Sequence, residues 1–541
     1  MLKTIYHWID RSLLAVGREM RLSYLPPLMV YMAYGVSGLT SIVGTFFVKD
    51  YLGLSAQYLA ALGFWVGIPW NLKMPIGHLV DLMWRRKGLL VYLGACLTAA
   101  SLTIMVLLVG SRDAMTAIMP AEAWYVLSTL LAPVGYVVQD AVADAMTVEA
   151  VPRVDAEGRP LSPEQRKPMH TTVQTLGRVA IIGGLVLVAG VNLWMFRGVE
   201  HLPKQELVRI YRNVYLMALA IPAISVAGVV LASVLDVRQR RRLVAQGWTP
   251  EKLAEMMDEH TEKTPPNWWI LGGGLVFVAF TLTVGLVDVP FSQEIVFVGS
   301  FAILAFLINK LTRELEPEAR ATLVGTAVVI FVYRAIPGAG PGMSWWMIDE
   351  LGFDERFLSV LSLIGGSLTL AGLFIFRRFM AERSIARVVV LLTICGFFLS
   401  LPYVGMYYGL HEWTAAHTGG VVDARFIAII DTTLESPLGQ VAMVPMLAWI
   451  ANSAPPRLKA TYFAVMASFT NLSLSLSQLG TKYLNQAFVV TREVKEQATG
   501  KLLEAANYAE LGKLLIVQVT LLLVLPLAAI AVVRLGRART M

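Results

Sequence analysis

Apolar stretches of about 20 residues recur along the whole chain, and short polar segments separate them. A helix of that length crosses the hydrocarbon core of a bilayer, whereas a membrane β-barrel shows short segments of alternating polarity. The pattern therefore predicts an all-α polytopic membrane protein with about fourteen transmembrane helices. The predicted spans are residues 28–48, 57–83, 88–110, 122–149, 170–196, 211–235, 267–288, 291–312, 320–343, 353–377, 385–410, 423–452, 459–489 and 511–536.

The spans divide into two sets of six that flank a central pair. Two six-helix halves related by a pseudo-two-fold axis are the architecture of the major facilitator fold, in which the first and fourth helices of each half are expected to line the cavity. The polar segment 490–510 is expected to be helical. The predicted segments are an N-terminal amphipathic segment at 1–27, a six-helix bundle at 28–235, a cytoplasmic linker at 236–266, an inserted hairpin at 267–312 and a second six-helix bundle at 320–541.

Composition and charge agree with a membrane protein. The 541 residues are 56% hydrophobic and only 15% charged, against roughly 25% charged in soluble domains. The net charge of +7 comes from short basic clusters between spans, so it does not indicate nucleic-acid binding. Most of these cations fall on one side if both termini are cytoplasmic. We therefore expect a bacterial inner (plasma) membrane protein with cytoplasmic termini, and we expect it to be a monomer.

Catalytic and metal-binding motifs are missing from the sequence. The seven histidines are scattered, and neither an H-E-x-x-H nor a G-x-S-x-G element occurs. We therefore expect no enzyme activity and no cofactor or metal, with protons as the coupling ion.

Two pairs of carboxylates lie within predicted spans, where an ionisable residue indicates function. Asp140 and Asp144 are four residues apart in span four, and so are Asp431 and Glu435 in span twelve. Carboxylates that share a helix face disfavour double ionisation, which suits proton binding. For the pair in span four, the alternative is a structural gate locked to Arg178.

Two cations within spans are candidate ligands of an anionic substrate. Arg334 in span nine is expected at the depth of Asp431 and Glu435, so an Arg334–carboxylate cluster would face the cavity. The alternative is an inter-helix salt bridge without a ligand. Lys73 either binds an anionic substrate group or pairs with a carboxylate of span four. The aromatic rings expected near the cavity, which could stack on a planar ligand or form an interfacial belt, are Tyr31, Tyr34, Tyr136, Trp345 and Trp346.

The stretch "PWNLKMPIGHLVD" resembles the major facilitator signature G-x-x-x-D followed by basic residues. More narrowly, it is similar to the P-W-x-x-K-P-x-x-G-x-x-S-D pattern of folate–biopterin transporters, although the second proline is one place late and valine replaces the serine. "FFVKDYLGLS", "QDAVADAMTVEA", "IPGAGPGMSWWMIDELGF" and "ATYFAVMASFTNL" resemble other segments of that family, so the resemblance covers most of the chain. The residues that match the first pattern are Pro69, Trp70, Lys73, Gly77 and Asp81.

This resemblance implies a secondary transporter that moves an amphipathic organic anion, such as a folate or pteridine, by alternating access coupled to protons. Muropeptide permeases and acetyl-coenzyme A transporters share parts of the pattern and imply a muropeptide or acyl-CoA substrate. A non-transporting assembly factor is a third alternative. We expect the substrate to contact Arg334, Lys73, Tyr34, Tyr136 and Trp345. We expect Asp431, Glu435, Asp140 and Asp144 to couple protons. We expect a cytoplasmic gate of Asp81, Arg85, Arg86, Glu149 and Arg178.

Overall fold

The computed structural model describes residues 20–540, with gaps at 153, 155–158, 160, 200–201, 250–265, 267, 288, 314–315, 377–378, 380–382, 442–458 and 496–501. Most of the predicted amphipathic segment at 1–27 and the predicted surface helix of the 236–266 linker therefore lie outside the described residues. The C-terminal part of span twelve lies outside them as well.

The first helices form a bundle that we call the N half. Short 3-10 turns at Leu22–Tyr24, Ser37–Thr40 and Trp84–Arg86 join some of them. The helices are α1 (Leu25–Val36), α2 (Ser41–Tyr51), α3 (Ala56–Asn71), α4 (Lys73–Leu82), α5 (Gly88–Gly110), α6 (Arg112–Thr116), α7 (Ala121–Ala150), α8 (Pro163–Met195), α9 (Lys204–Ala218) and α10 (Ala220–Ala245).

A helical hairpin of α11 (Trp268–Leu286) and α12 (Ser292–Leu311) follows, and the remaining elements form the C half. A 3-10 turn at Ser436–Leu438 follows α18 directly. The C half contains α13 (Pro317–Arg334), α14 (Pro341–Asp349), α15 (Glu355–Ile375), α16 (Ile385–Tyr407), α17 (Leu410–His417), α18 (Ala424–Glu435), α19 (Lys459–Ala487), strands β1 (Val494–Lys495) and β2 (Leu502–Glu504), and α20 (Leu511–Thr540).

Ten helical segments within the described residues are long and apolar enough to cross a membrane, and each coincides with one of the predicted spans. The remaining four predictions, 57–83, 320–343, 423–452 and 459–489, correspond to shorter or more polar helices. The ten segments are Leu22–Tyr51, Gly88–Gly110, Ala121–Ala150, Thr172–Met195, Glu206–Ala245, Trp268–Gly285, Ser292–Asn309, Glu355–Ile375, Ile385–Tyr407 and Leu511–Leu535.

Two of the four remaining spans are broken helices, and proline explains both breaks. Span two breaks at Leu72, which places Pro75 in the first turn of α4, where a missing backbone N–H leaves no helix bond unmade. Span nine breaks after Arg334, and α14 starts at Pro341. Gly340, which precedes this proline, has a φ of 81°, a conformation that glycine adopts without strain.

The N half and the C half have their largest contacts along two pairs of helices. α3 packs along α19, and α8 packs against α15. The inserted hairpin lies beside the first of these contacts, since α11 packs against α4 and α12 packs against α19. Lys482 on α19 binds Glu294 on α12 with an Nζ–Oε1 distance of 2.9 Å. The hairpin therefore contacts helices of both halves at the edge of the bundle.

The segment 490–510 is not helical in its described part, contrary to the prediction. β1 and β2 form an antiparallel pair, and an isolated bridge joins Thr491 to Asn507. The Thr491 hydroxyl also donates to the Ala505 carbonyl. Helical propensity in the sequence was therefore overridden by pairing between the two ends of the segment.

Candidate substrate and proton sites

The two carboxylates of α7 share one lysine from α4. The Nζ atom of Lys73 lies 2.6 Å from Oδ2 of Asp140 and 2.8 Å from Oδ2 of Asp144. The Tyr31 hydroxyl donates to Oδ1 of Asp144 at 2.5 Å, and the charge of Arg178 on α8 acts on both carboxylates. Of the two alternatives for Lys73, pairing with span four is the one that the structure shows. We call these five residues the Lys73 cluster.

The helix geometry brings the Lys73 cluster together. Asp140 and Asp144 lie one turn apart on α7, and Lys73 is the first residue of α4, directly after the break in span two. The Asp144 side chain keeps 42% of its surface exposed, whereas the Lys73 and Asp140 side chains are mostly buried. One carboxylate of the pair is therefore open to exchange with a ligand or a proton.

Three aromatic residues are close in sequence to members of the Lys73 cluster. Tyr34 packs edge-to-face against Trp70 and Tyr136, with ring centroids 5.5 Å and 5.7 Å apart. Trp70 precedes Lys73 by three residues, and Tyr136 precedes Asp140 by one helical turn. The predicted pair Tyr34 and Tyr136 thus lies together, and Trp70 completes the group. Trp70 stands in the first resemblance motif, and that was its only signal in the sequence.

Trp345, which we expected to contact substrate, lies elsewhere. Its ring is only 2% exposed and packs in a core cluster with Trp346 and Phe353. The guanidinium of Arg492 lies over the ring, 5.4 Å from its centroid. Trp345 therefore has no accessible face for a ligand in this conformation, because the short helix α14 turns the ring into the core.

The second pair of carboxylates lies on α18 in the C half. Asp431 is 4% exposed, and its Oδ1 atom has no hydrogen-bond partner among the described residues. Glu435 follows one turn later, close enough for electrostatic repulsion with Asp431. Both carboxylates also lie within electrostatic range of the Tyr403 hydroxyl. A buried carboxylate with an unpaired oxygen is costly unless it carries a proton or a ligand compensates it.

The expected Arg334–carboxylate cluster does not form within the described residues. No ion pair joins Arg334 to Asp431 or Glu435 there, although Tyr333 lies within electrostatic range of both Arg334 and Glu435. Arg334 is the last residue of α13, directly before the break in span nine. The sequence placed Arg334 at the same depth in the membrane as Asp431 and Glu435, but equal depth does not bring these side chains together.

Four of the five predicted gate residues lie at one end of the bundle, around the α4–α5 turn, whereas the fifth, Arg178, belongs to the Lys73 cluster. Asp81 is in the last turn of α4, and Arg85 and Arg86 are exposed in the following 3-10 turn. Glu149 of α7 binds Lys87, a residue that we did not place in the gate, with an Oε1–Nζ distance of 2.5 Å. This Lys87–Glu149 bond lies within the N half and does not itself join the two halves.

Bonds between the halves occur at the opposite end, which we call the Lys49 end. Lys49 at the end of α2 lies 2.6 Å from Oδ1 of Asp349, the last residue of α14. The Tyr508 hydroxyl donates to Oδ2 of the same carboxylate at 2.5 Å. Burial and this hydrogen bond raise the pKa of Tyr508, which keeps its hydroxyl protonated as a donor.

A second bond closes the Lys49 end. The Tyr211 hydroxyl on α9 donates to the Glu355 carboxylate at the start of α15, and both side chains are buried. The sequence contained no signal for either bond, because the partners come from different halves. Together the two bonds hold the N half and the C half in contact at this end.

Comparison with known proteins gives matches to sequences and to folds. Residues 270–537 match the model of the BT1 family. A folate-biopterin transporter of Synechocystis sp. is 27% identical over 188 residues, which cover 32% of this chain and 37% of the relative. Folate transporter 2 of Plasmodium falciparum is 25% identical over 175 residues, which cover 32% and 37%. The chain thus spans well under half the length of these relatives.

Solved structures of similar fold cover nearly the whole chain. A peptide transporter POT superposes with a TM-score of 0.58 at 14% identity, over 95% of both chains. The nucleoside transporter NupG superposes with a TM-score of 0.52 at 11% identity, over 94% of this chain and 99% of that chain. At these identities the likeness concerns the fold alone. It confirms the predicted fold class, an all-α polytopic membrane protein of the major facilitator type.

Proposed function

We propose that this chain, which belongs to the BT1 family over residues 270–537, is a secondary transporter of a folate-like or pteridine-like organic anion. The predicted resemblance to folate–biopterin transporters is confirmed by this family and by the folate-transporting relatives. A transporter without catalytic activity fits the transporter names of these relatives. The substrate class and the coupling to protons are our own inferences from the site.

The Lys73 cluster is the observation that carries the proposal. Lys73 is the cation, and the partly exposed Asp144 is the partner that an anionic substrate can replace. The neighbouring rings of Tyr34, Trp70 and Tyr136 offer aromatic surfaces against which a planar ring system packs. A ligand with a carboxylate and a flat heterocycle, which is the chemistry of a folate, matches both features.

Charge balance supports coupling to protons. Two carboxylates, Asp140 and Asp144, face two cations, Lys73 and Arg178, so the cluster is close to neutral without a ligand. An arriving carboxylate adds one negative charge to a site that lies within the membrane, where uncompensated charge is costly. We propose that a proton on Asp140 or Asp144 compensates it and at the same time releases Lys73 to the substrate.

Asp431 and Glu435 supply a second proton site in this proposal. Their helix α18 belongs to the fourth predicted span of the C half, as α7 belongs to the fourth predicted span of the N half. Asp431 has an unpaired oxygen among the described residues, so a bound proton removes the cost of burying its charge. Proton loss from Asp431 in one orientation, and gain in the other, would drive the transport cycle.

The bonds at the Lys49 end fit a state that is closed on one side. With the orientation that the basic residues predict, the Lys49 end faces the outside, and four of the five predicted gate residues, Asp81, Arg85, Arg86 and Glu149, face the cytoplasm. Alternating access then requires the Lys49–Asp349 and Tyr211–Glu355 bonds to break as the halves rock around the Lys73 cluster.

Uptake into proteoliposomes tests this function. The purified full chain is reconstituted, a pH gradient is imposed, and the uptake of labelled folic acid and biopterin is measured. We expect uptake that the gradient stimulates, loss of uptake in Lys73→Ala, and normal uptake in the control Lys513→Ala, which alters an exposed lysine. Uptake of a muropeptide or a coenzyme A ester in place of the folates would show that the substrate belongs to one of these alternative classes. Absence of uptake of all these compounds by folded protein would reject the transporter proposal.

A further inference from the structure

Polar side chains of α19 bond the backbone at both helix breaks. In span nine, the Ser477 hydroxyl donates to the Ile336 carbonyl at 2.6 Å, and the Gly338 N–H donates to Thr481 at 2.9 Å. In span two, the Asn471 amide donates to the Trp70 carbonyl at 3.2 Å. Irregular backbone within a membrane needs such partners, because no water is available to bond it.

Asn471 differs from the other residues of this face because its bond crosses between the halves. Ser477, Thr481 and their partners all belong to the C half, whereas Trp70 belongs to the N half. The bond therefore joins a C-half side chain to the end of an N-half helix.

The contact between α3 and α19 is close enough to transmit movement. A Cβ atom at Gly63 would lie 2.7 Å from Oε1 of Gln478, and one at Gly67 would lie 3.2 Å from Oγ of Ser475. Small residues let the two backbones approach in this way. The contacts Gly63–Gln478, Gly67–Ser475 and Trp70–Asn471 follow one antiparallel order along α3, and α19 continues beyond the break to pack against α4.

The position of this bond relates it to the Lys73 cluster. Trp70 lies in the last turn of α3, and Lys73 starts α4 after the break at Leu72. The intervening Asn71 amide is 5% exposed and makes no hydrogen bond among the described residues, so its side chain does not hold the break. The amide of Asn471 is then the side chain that bonds the break directly before Lys73.

We propose that Asn471 is a positioning residue that links the rocking of the C half to the ion pairs of Lys73. The inference rests on the proposed function and deepens it. While α19 lies against α3, the Asn471–Trp70 bond keeps the start of α4 where Lys73 reaches Asp140 and Asp144. When the halves rock and the bond breaks, the start of α4 is released, and Lys73 becomes available to an anionic substrate.

Chemical labelling of Lys73 tests this role without relying on transport. The purified full chain is treated with a limiting amount of acetic anhydride, and acetylation of Lys73 is measured by peptide mass spectrometry relative to the exposed Lys513. Loss of one hydrogen bond to the break should raise the relative acetylation of Lys73 in Asn471→Ala by roughly two- to tenfold. Asp140→Asn, which removes an ion-pair partner of Lys73, is the positive control.

Asn485→Ala is the matched control, because Asn485 on the same helix donates to the Ala339 carbonyl within the C half. Its Lys73 acetylation should equal that of the wild type. The proposal is overturned if Asn471→Ala leaves acetylation unchanged while Asp140→Asn raises it. It is also overturned if Asn485→Ala raises acetylation as much as Asn471→Ala does, since the effect would then be general loosening.

Transport adds a readout that a purely structural role would not change. In proteoliposomes, Asn471→Ala should lose stimulation by the pH gradient while it retains exchange of substrate across the membrane, and Asn471→Gln should restore part of the stimulation. Equal loss of stimulation and exchange would contradict the link. If the wild type transports nothing, the proposed function fails, but the acetylation result still decides whether Asn471 positions Lys73.

Discussion

The N half and the C half each carry two carboxylates one turn apart on their fourth predicted span, yet the two pairs have different surroundings. Asp140 and Asp144 share Lys73, receive a hydrogen bond from Tyr31 and lie within the field of Arg178. Asp431, beside Glu435, keeps an oxygen without a hydrogen-bond partner among the described residues.

The difference teaches that spacing alone does not decide the chemistry of an acidic pair. The same i,i+4 arrangement forms an ion-pair cluster where a neighbouring helix breaks and presents a lysine. It remains a candidate proton carrier where the described neighbours, Tyr333 and Tyr403, have only phenol groups. We therefore expect substitutions around Asp140 and Asp144 to change the stability of the protein, and substitution of Asp431 to change the coupling of transport to protons.

Replacing Lys73 should have the largest effect. Lys73→Ala leaves Asp140 and Asp144 without their shared cation, and breaking a buried ion pair costs about 3–5 kcal/mol. The partial exposure of Asp144 places the expected loss at about 3 kcal/mol. Thermal unfolding in detergent measures it, and Lys73→Ala combined with Asp140→Asn should recover part of the loss. A melting temperature equal to that of the wild type would show that the ion pairs do not stabilise the N half.

Breaking the Lys49–Asp349 pair should change the equilibrium between conformations. Because this pair of a buried lysine and a partly exposed carboxylate joins the halves, Lys49→Gln should favour opening of the Lys49 end by about 2 kcal/mol, the value of a charged hydrogen bond. A cysteine at the buried Leu54, in a background with Cys96 and Cys395 replaced by serine, reports opening through its reaction with a membrane-impermeant maleimide.

The charge-swapped variant Lys49→Asp with Asp349→Lys is the control for this second prediction. It should restore slow labelling of the Leu54→Cys reporter, because the pair is re-formed with its charges exchanged. Unchanged labelling in Lys49→Gln would contradict a closing role for the pair.

Removing the Trp70 ring should weaken ligand binding moderately, because the ring lies beside the Lys73 cluster. Trp70→Ala removes one aromatic partner of Tyr34, and an aromatic contact contributes about 1 kcal/mol beyond buried area. The dissociation constant for folic acid, measured by the ligand-induced rise in melting temperature, should therefore increase about fivefold. Phe398→Ala, an exposed ring on α16, is the control. An unchanged dissociation constant for Trp70→Ala would remove this ring from the substrate site.

Neutralising Asp431 should have the smallest effect on stability. Asp431→Asn keeps the shape of the side chain and removes the charge, so its free energy of unfolding should stay within about 0.5 kcal/mol of the wild-type value. In the same variant, uptake should lose its response to an imposed pH gradient. A large loss of stability would indicate that Asp431 is ionised and paired, and the contrast between the halves would disappear.

Much of the fold was predictable because membrane helices are encoded locally. Each of the ten candidate spans was visible as an apolar run, whereas the division into six, two and six stays a prediction. Among the described residues, the spans that fail the length or polarity test are the two broken helices, the polar α19 and span twelve, whose C-terminal part lies outside them. Apolar length describes contact with lipid, whereas α19 packs against α3 and bonds the backbone at both helix breaks.

The candidate site was predictable only in part. The spacing of Asp140 and Asp144 predicted a shared face, and Lys73 was expected to bind either substrate or this pair. The structure shows the second arrangement. Two expectations were wrong for this conformation: Arg334 does not pair with the carboxylates of α18 among the described residues, and Trp345 is buried and not open to substrate. Depth along a helix does not specify the direction of a side chain.

The sequence by itself determined the helical membrane fold, the acidic pairs and the resemblance to folate–biopterin transporters, since apolar length, i,i+4 spacing and motifs are local properties. Only the tertiary structure decided which carboxylates have a cation, which rings stay accessible, and that α19 bonds the backbone at both helix breaks. These properties depend on residues distant in sequence, such as Trp70 and Asn471 or Lys49 and Asp349. Helix packing brings such residues together, and a single helix carries no signal for its partner.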